Sequence, residues 1–309
     1  MNGLLLIDKP KGITSHDVVD RVRRIFYTRK VGHTGTLDPA ATGLLLICIG
    51  KATRLTSFLQ DLDKTYQGVM VFGLTTSSMD EETEILEEKD ASSLNRDEVE
   101  NLFTHLRGKI TQTPPIFSAV HWKGERLYKL AREGLEPTPP PRQVEIYALS
   151  LLDFIEGRHP QVKFKIHCSK GTYVRSLCAE VGKYSGYGAY QASLQRTRIG
   201  PFLLEKARTL EDLENIMAGD SADRVLIGLR DVLPHLPLVK VKKEAEKVIG
   251  WGRALYISHL DDSPPDLDKG DRVRLCAPDG RLLAVAISLQ KASHFSKDKV
   301  GFKYLRVLI

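Results

Sequence analysis

The residues best placed to do chemistry lie in one short stretch: Gly32-His33-Thr34-Gly35-Thr36-Leu37-Asp38-Pro39-Ala40-Ala41-Thr42-Gly43. A single carboxylate, Asp38, stands among glycines, a proline and a histidine. Glycine admits positive φ and the close approach of another chain. Pro39 steers Asp38 away from helical geometry. The apolar run Leu44 to Ile49 follows, closed by Gly50, and reads as a buried strand. Asp38 is therefore expected on a bent loop tied to a core strand. Taken alone, an Asp-Pro pair serves a turn as well as it serves chemistry. His33 taken alone reads as a surface histidine. A lone acid so placed, on a chain of net charge +6, points to chemistry on a nucleic acid.

Other side chains widen the choice. Tyr66, between Lys64 and Val69-Met70-Val71, is either a half-buried strand tyrosine or a flat face for a nucleobase. Arg175 falls in the first turn of a helix, where the dipole disfavours a cation unless a carboxylate or phosphate answers it. Lys170 and the run Gln195-Arg196-Thr197-Arg198 offer cations for a phosphate backbone. Ser15-His16-Asp17 spells a catalytic triad, but adjacent residues cannot converge as a triad does. Those letters read as a helix start instead.

The elements that must hold these residues are legible in outline. Met1 to Lys9 reads as a strand and Lys9-Pro10-Lys11-Gly12 as a turn. Thr14 caps a helix with Asp17 at its third position, and Val18, Val22 and Ile25 form its apolar face. Lys51 to Gln60 reads as a short helix and Lys64 to Gly73 as a strand. Asp97 to Leu106 reads as an amphipathic helix stopped by Gly108. The segment from Pro137 to Pro141 is a stiff connector. Gln161 to Cys168 alternates as a half-buried strand does, with Val162, Phe164, Ile166 and Cys168 on one face. Val174, Leu177, Cys178 and Val181 line the next helix, which stops at Gly186. Near Asp231 to Pro237 the pattern breaks. Short strands then dominate, at Val273 to Cys276, Leu282 to Leu289 and Tyr304 to Ile309, the first two joined by Pro278-Asp279-Gly280. The expected division is residues 1–232 and a small β domain, 233–309.

Composition removes several function classes. The 309 residues are 42% hydrophobic, enough for a sizeable core. Cys48, Cys168, Cys178 and Cys276 form no CxxC pair and show no zinc-ligand spacing, so they are expected as reduced core residues. Dinucleotide, P-loop, HExxH and EF-hand patterns do not occur. No metal and no cofactor is expected, and side chains alone must run any reaction. No apolar run approaches the roughly 18 residues of a membrane helix. The N-terminus has no signal-peptide pattern. A cytoplasmic protein is expected.

Five ordered segments resemble one family. GHTGTLDPAATGLLLICIGKATR is similar to the catalytic signature of the TruB family of tRNA pseudouridine synthases. KTYQGVMVFGLTT resembles that family's tyrosine motif. TPPIFSAVHWKGERLYKLAREG resembles its TPPxxSAxKxxGxRxYxxAR motif, CSKGTYVRSL its arginine motif, and GAYQASLQRTRIGPF its leucine-bearing segment. The tail, around Gly270 to Leu275 and Leu283 to Ala286, resembles a PUA RNA-binding domain. Two positions depart from the pattern. His121 stands where lysine is usual, and Thr83 where a TxTxDxxG pattern ends in glycine.

The resemblance implies an α+β pseudouridine synthase fold, with a mixed and largely antiparallel sheet and a C-terminal PUA β-barrel. It implies isomerisation of the uridine at position 55 in the tRNA T-arm, by a monomer that needs no metal, cofactor or membrane. Asp38 matches the essential aspartate, Tyr66 the tyrosine stacked on the uracil and implicated at C5, and Arg175 the arginine paired with the carboxylate. Leu194 matches the leucine that closes the pocket, and His33 a histidine that helps displace the base. Asp80, Lys64 and Lys170 are further expected substrate-binding residues. Arg175 should keep Asp38 ionised, since an opposite charge at about 4–6 Å lowers a carboxylate pKa by roughly 1–3 units. The alternatives are a guide-RNA-dependent synthase subunit of the dyskerin type and a non-enzymatic tRNA chaperone.

Overall fold

The computed structural model describes the chain apart from residues 119–120, 123, 128–134, 136, 138, 219–224 and 263–265, and apart from the side chains of residues 121, 122, 126 and 218. The His121 side chain and part of the proline connector therefore lie outside what is described.

The strands of the larger part are β1 (Gly3–Lys9), β2 (Val31–His33), β3 (Thr42–Ile49), β4 (Lys64–Phe72), β5 (Leu74–Thr76), β6 (Ile85–Glu88) and β7 (Gly108–Gln112). They continue as β8 (His121–Trp122), β9 (Glu125–Arg126), β10 (Arg142–Ile155), β11 (Gln161–Cys168), β12 (Ala189–Ile199), β13 (Phe202–Leu203) and β14 (Ile227–Gly228). Ten of them form one sheet along the path β14-β1-β3-β12-β4-β11-β10-β7, with β2 on β3 and β13 on β12. Every pairing in it is antiparallel except β3 with β12, at Thr42–Gln195 and Gly43–Arg196. The sheet is thus mixed and largely antiparallel, as expected.

Burial explains the strand patterns. β3 is a continuous apolar run because both its faces are covered. Leu44, Leu46 and Cys48 enter one core, and Leu45, Ile47 and Ile49 enter another with Val18, Val19 and Val22 of the helix Ser15–Ile25. That helix begins with the expected capping box of Thr14 and Asp17. β11 alternates because one face alone packs, placing Val162, Phe164, Ile166 and Cys168 beneath the helix Val174–Ser185. Gly186, at φ +81°, ends that helix. The helix expected from Asp97 runs instead from Arg96 to His105. Asn95 accepts at its N-cap, paired with Glu98.

The chain enters a second sheet after Pro237. β15 (Leu238–Lys240), β16 (Leu255–Tyr256), β17 (Arg272–Cys276), β18 (Leu282–Ser288) and β19 (Val300–Val307) lie in the order β15-β17-β18-β19-β16. Three of these were expected, although β19 starts four residues earlier than the sequence indicated. The Pro278-Asp279-Gly280 turn is present, with Gly280 at φ +86°. The junction is buried rather than a loose linker. Val232 and Leu233 are sealed into a core shared by Leu4, Leu6 and Phe58 on one side and Cys276, Val285 and Leu308 on the other.

Gly43 is the hinge between the Asp38 loop and β3. Its φ is +97°, and a Cβ there would overlap the Arg196 carbonyl oxygen and come within 2.9 Å of the Arg196 nitrogen. Gly43→Ala is expected to cost about 3 kcal/mol or more, because both the strained φ and the backbone clash must be relieved. Urea denaturation checks this. A loss below about 1 kcal/mol would show that the β3–β12 junction can shift.

Candidate active site

The loop 34–41 between β2 and β3 is fastened from several directions. Leu37 and Ala41 anchor it in the core beside Tyr66 and Leu194. The Ser15 hydroxyl accepts from Leu37 N at 2.8 Å and donates to Leu37 O at 3.1 Å. Lys9, fully buried, donates to the carbonyls of Ile13 at 2.8 Å, Pro10 at 2.9 Å and Pro39 at 3.3 Å. Arg196, 2% exposed, donates to the carbonyls of Leu44 at 2.7 Å, Gly35 at 3.1 Å and Thr36 at 3.4 Å.

So held, Asp38 turns its carboxylate to Arg175, with 3.0 Å between Oδ2 and Nη2. Arg175 is buried and also donates to Phe117 O at 2.9 Å and Ser78 O at 3.1 Å. Its Nη1 lies 3.1 Å from Asp80 Oδ2. That contact is ionic rather than a well-aligned hydrogen bond, since the oxygen has no geometrically sound donor. The acid that answers the badly placed helix cation is thus double, Asp38 and Asp80.

These groups open on a cleft of about 640 Å³. Asp38, Tyr66, Arg175 and Leu194 line it together, with Lys64 and Lys170. β12 lies antiparallel to β4, placing Leu194 across from Gly68 and Arg196 across from Tyr66. Asp80 lies behind Arg175 rather than in the wall. His33 sits at the entry to the loop, its Nδ1 accepting from Gly35 N at 3.3 Å. The ammonium of Lys64 donates to the carbonyls of Gln60 at 2.6 Å and Leu62 at 2.5 Å, which leaves one of its three donors. Lys170 is exposed on the rim and pairs with Asp61 at 2.6 Å, which also takes Arg272 of β17 at 3.0 Å.

Burial dominates the electrostatics. It pushes the Asp38 carboxyl above the ordinary aspartate range, with Arg175 pulling it down, Asp80 pushing it up and Lys9 pulling it down again. The expected lowering by Arg175 is present but outweighed by desolvation. Burial raises the Tyr66 phenol, against the charge of Arg196. It also lowers His33, favouring the neutral ring. Lys64 is lowered to about 8 by burial and then by Arg196.

Arg196 was expected to position phosphate and does not. It is buried and its donors are turned onto backbone carbonyls. The available signal was the alternation of the strand, which puts Arg196 on the same inward face as Leu194. Lys9 and Ser15 were missed for a related reason, since backbone partners leave no mark in a sequence. Among the described residues, no group of three or more His, Cys, Asp or Glu side chains is arranged to hold a metal. No described helix is long and apolar enough to cross a membrane.

Solved structures share this architecture. One is an H/ACA RNP bound to a substrate RNA containing 2′-deoxyuridine, 26% identical with a TM-score of 0.77, covering 99% of this chain and 85% of that one. Another is a Cbf5–Nop10–Gar1 complex, 27% identical with a TM-score of 0.77 and the same coverage. The fold is that of the pseudouridine synthases. The model of the TruB family pseudouridylate synthase N-terminal domain matches residues 23–174, and that of the tRNA pseudouridylate synthase B C-terminal domain matches residues 175–236. The tRNA pseudouridine synthase B of Pelotomaculum thermopropionicum is 43% identical over all of this chain and 97% of its own length. That of Syntrophotalea carbinolica is 39% identical over 99% of this chain and 98% of its own. The chain belongs to the TruB family of pseudouridylate synthases. It is an isomerase that converts uridine to pseudouridine.

Proposed function

We propose that this enzyme acts on tRNA, at the T-arm uridine of position 55, with Asp38 as the reacting carboxylate. The observation that carries the reading is the Asp38–Arg175 pair at a cleft walled by Tyr66 and Leu194. The relatives named tRNA pseudouridine synthase B support the substrate.

The reaction breaks C1′–N1, turns the uracil and joins C1′ to C5. C5 then loses a proton and N1 gains one, so the product is an isomer. Glycosidases use two carboxyls because they protonate a departing group and deliver water. Here the base is retained and water must be kept out, so one carboxylate facing the sugar suffices. Asp38 must be ionised to act, and Arg175 and Lys9 oppose its protonation. Tyr66 and Leu194 enclose the ring with few hydrogen bonds, which suits a ring that rotates. Burial keeps the Tyr66 phenol protonated, with the charge of Arg196 opposing, beside the ring whose C5 loses its proton. The uracil must leave its stack, at a cost of a few kcal/mol. His33, neutral and at the loop entry, fills the space it leaves.

Residues 233–309 act as a PUA-type RNA-binding domain. Lys240, Lys242, Lys243 and Lys247 lie there, with the exposed Trp251 stacked under Arg253 at 4.8 Å. The enzyme works as a cytoplasmic monomer, in keeping with four buried free thiols.

The test is tritium release from C5-tritiated uridine in an unmodified tRNA transcript, with no other macromolecule present. One release per tRNA is expected, lost when uridine 55 is replaced by cytidine. A requirement for an added guide RNA would overturn the reading in favour of a guide-RNA-dependent synthase subunit.

A further inference from the structure

We propose that Thr83 is a positioning residue that sets the Asp38–Arg175 pair through Ser78 and Asp80. This rests on the reading of Asp38 as the reacting carboxylate.

Residues 77–84 join β5 to β6 and run behind Arg175. Two groups of this loop touch the same guanidinium nitrogen, the Ser78 carbonyl and Asp80 Oδ2, each at 3.1 Å. What fixes Ser78 and Asp80 therefore fixes Arg175. The Ser78 hydroxyl lies 2.5 Å from Asp80 Oδ1, which also accepts from Glu82 N at 3.0 Å. An ionised carboxylate can only accept, so the serine proton points at Asp80. The serine oxygen is left to accept, and Thr83 Oγ1, 2.8 Å away, donates to it. The same threonine oxygen accepts from Ser78 N at 3.1 Å. One hydroxyl thus holds both the nitrogen and the side chain of Ser78.

The surroundings make that ring matter. Ser78 is 3% exposed and Asp80 1%, so unmet hydrogen bonds there cost more than on a surface. Met79, between them, has φ +62°, a conformation that persists only where its neighbours enforce it. The Thr83 hydroxyl spans that residue. Glycine, which the resemblance leads one to expect at this position, has no hydroxyl with which to do so. The departure at Thr83 therefore adds a fastening to the Arg175 cradle.

Asp38 is faced by Arg175, Lys9, Asp80, Glu82, Tyr66 and Tyr173. Of these, only Arg175 is directly paired with it at 3.0 Å and also held by the Thr83 loop. Loosening that loop weakens the charge that keeps Asp38 ionised. It leaves the stacking walls of the cleft in place.

Thr83→Val keeps the shape and removes the hydroxyl, whereas Thr83→Ser keeps the hydroxyl. The expected single-turnover rate of tritium release for Thr83→Val is about 10- to 100-fold below wild type, the scale of a small misplacement of a catalytic group. Its Kd for tRNA should stay within about twofold, on the same ground that only positioning is lost. The acid limb of its rate–pH profile should move to higher pH. Thr83→Ser should restore both. Wild-type rate and limb in Thr83→Val would overturn the proposal. So would a rate loss matched by an equal loss of folded protein or of tRNA binding, or one that Thr83→Ser does not repair. Asp38→Asn serves as the control. If it turns over, the reading of Asp38 fails. If it is inactive while Thr83→Val is unaffected, the threonine proposal alone fails.

Discussion

Asp38→Asn is expected to bind tRNA as tightly as the wild type and to release tritium at least about 10⁴-fold more slowly, the scale seen when an acting group is removed from an intact site. The change keeps the shape and removes the charge. Arg175 retains Asp80, its contacts with Ser78 and Phe117, and hence its position. The fold should not suffer. Burial holds the Asp38 carboxyl above its unfolded pKa of about 3.8, so the folded chain binds this proton more tightly than the unfolded one. The carboxylate then costs stability at neutral pH, and that cost fades as pH falls through the elevated value towards the unfolded one. Activity moves the other way, because the carboxyl loses its charge over the same range. Asp38→Asn should therefore melt no lower than wild type near neutral pH. The wild-type rate should fall on an acid limb that lies above the ordinary aspartate range. Stopped assays across pH, with thermal melts on the same samples, check both. Retained tritium release in the variant would remove Asp38 from the chemistry.

Arg175→Met should be the most destabilising single change at the site. The guanidinium answers two carboxylates and two carbonyls while almost wholly buried. Without it, Asp80, whose side chain is 2% exposed, is left with no cation in contact. Removing one partner of a buried pair costs about 3–5 kcal/mol, mostly the penalty of the charge left behind. That cause is separable from catalysis. The double variant Arg175→Met with Asp80→Asn discards the stranded charge and should regain at least half of the lost stability. It should regain none of the rate, because Asp38 still lacks its counter-charge. Urea denaturation and single-turnover kinetics on the three proteins decide it. If the double variant is as unstable as the single one, the loss comes from packing or from the Ser78 and Phe117 carbonyls.

Some of this was readable from residue order and some was not. β3 and β11 announced themselves because burial on two faces or on one writes directly into the pattern of apolar residues. The meeting of Asp38, Tyr66, Arg175 and Leu194 came from resemblance, since nothing in local spacing relates four positions on four different elements. β15 and β16 were missed because two or three residues have no period to detect. Arg196 misled for a different reason. A cation suggests solvent or a phosphate, and only the folded chain shows that carbonyl oxygens have taken its donors. The net elevation of Asp38 was hidden likewise, because the partner's charge is visible in sequence and the depth of burial is not.

Lys9 and Arg196 grip the loop around Asp38 only at carbonyl oxygens, which every residue type possesses. The shape of that loop is therefore stored outside it and is largely blind to the side chains it displays. The aim of Asp38 then does not depend on the side chains of the exposed Thr36 or the half-buried Ala40. The arrangement separates the aim of the reacting carboxylate from the chemistry of the surface around it.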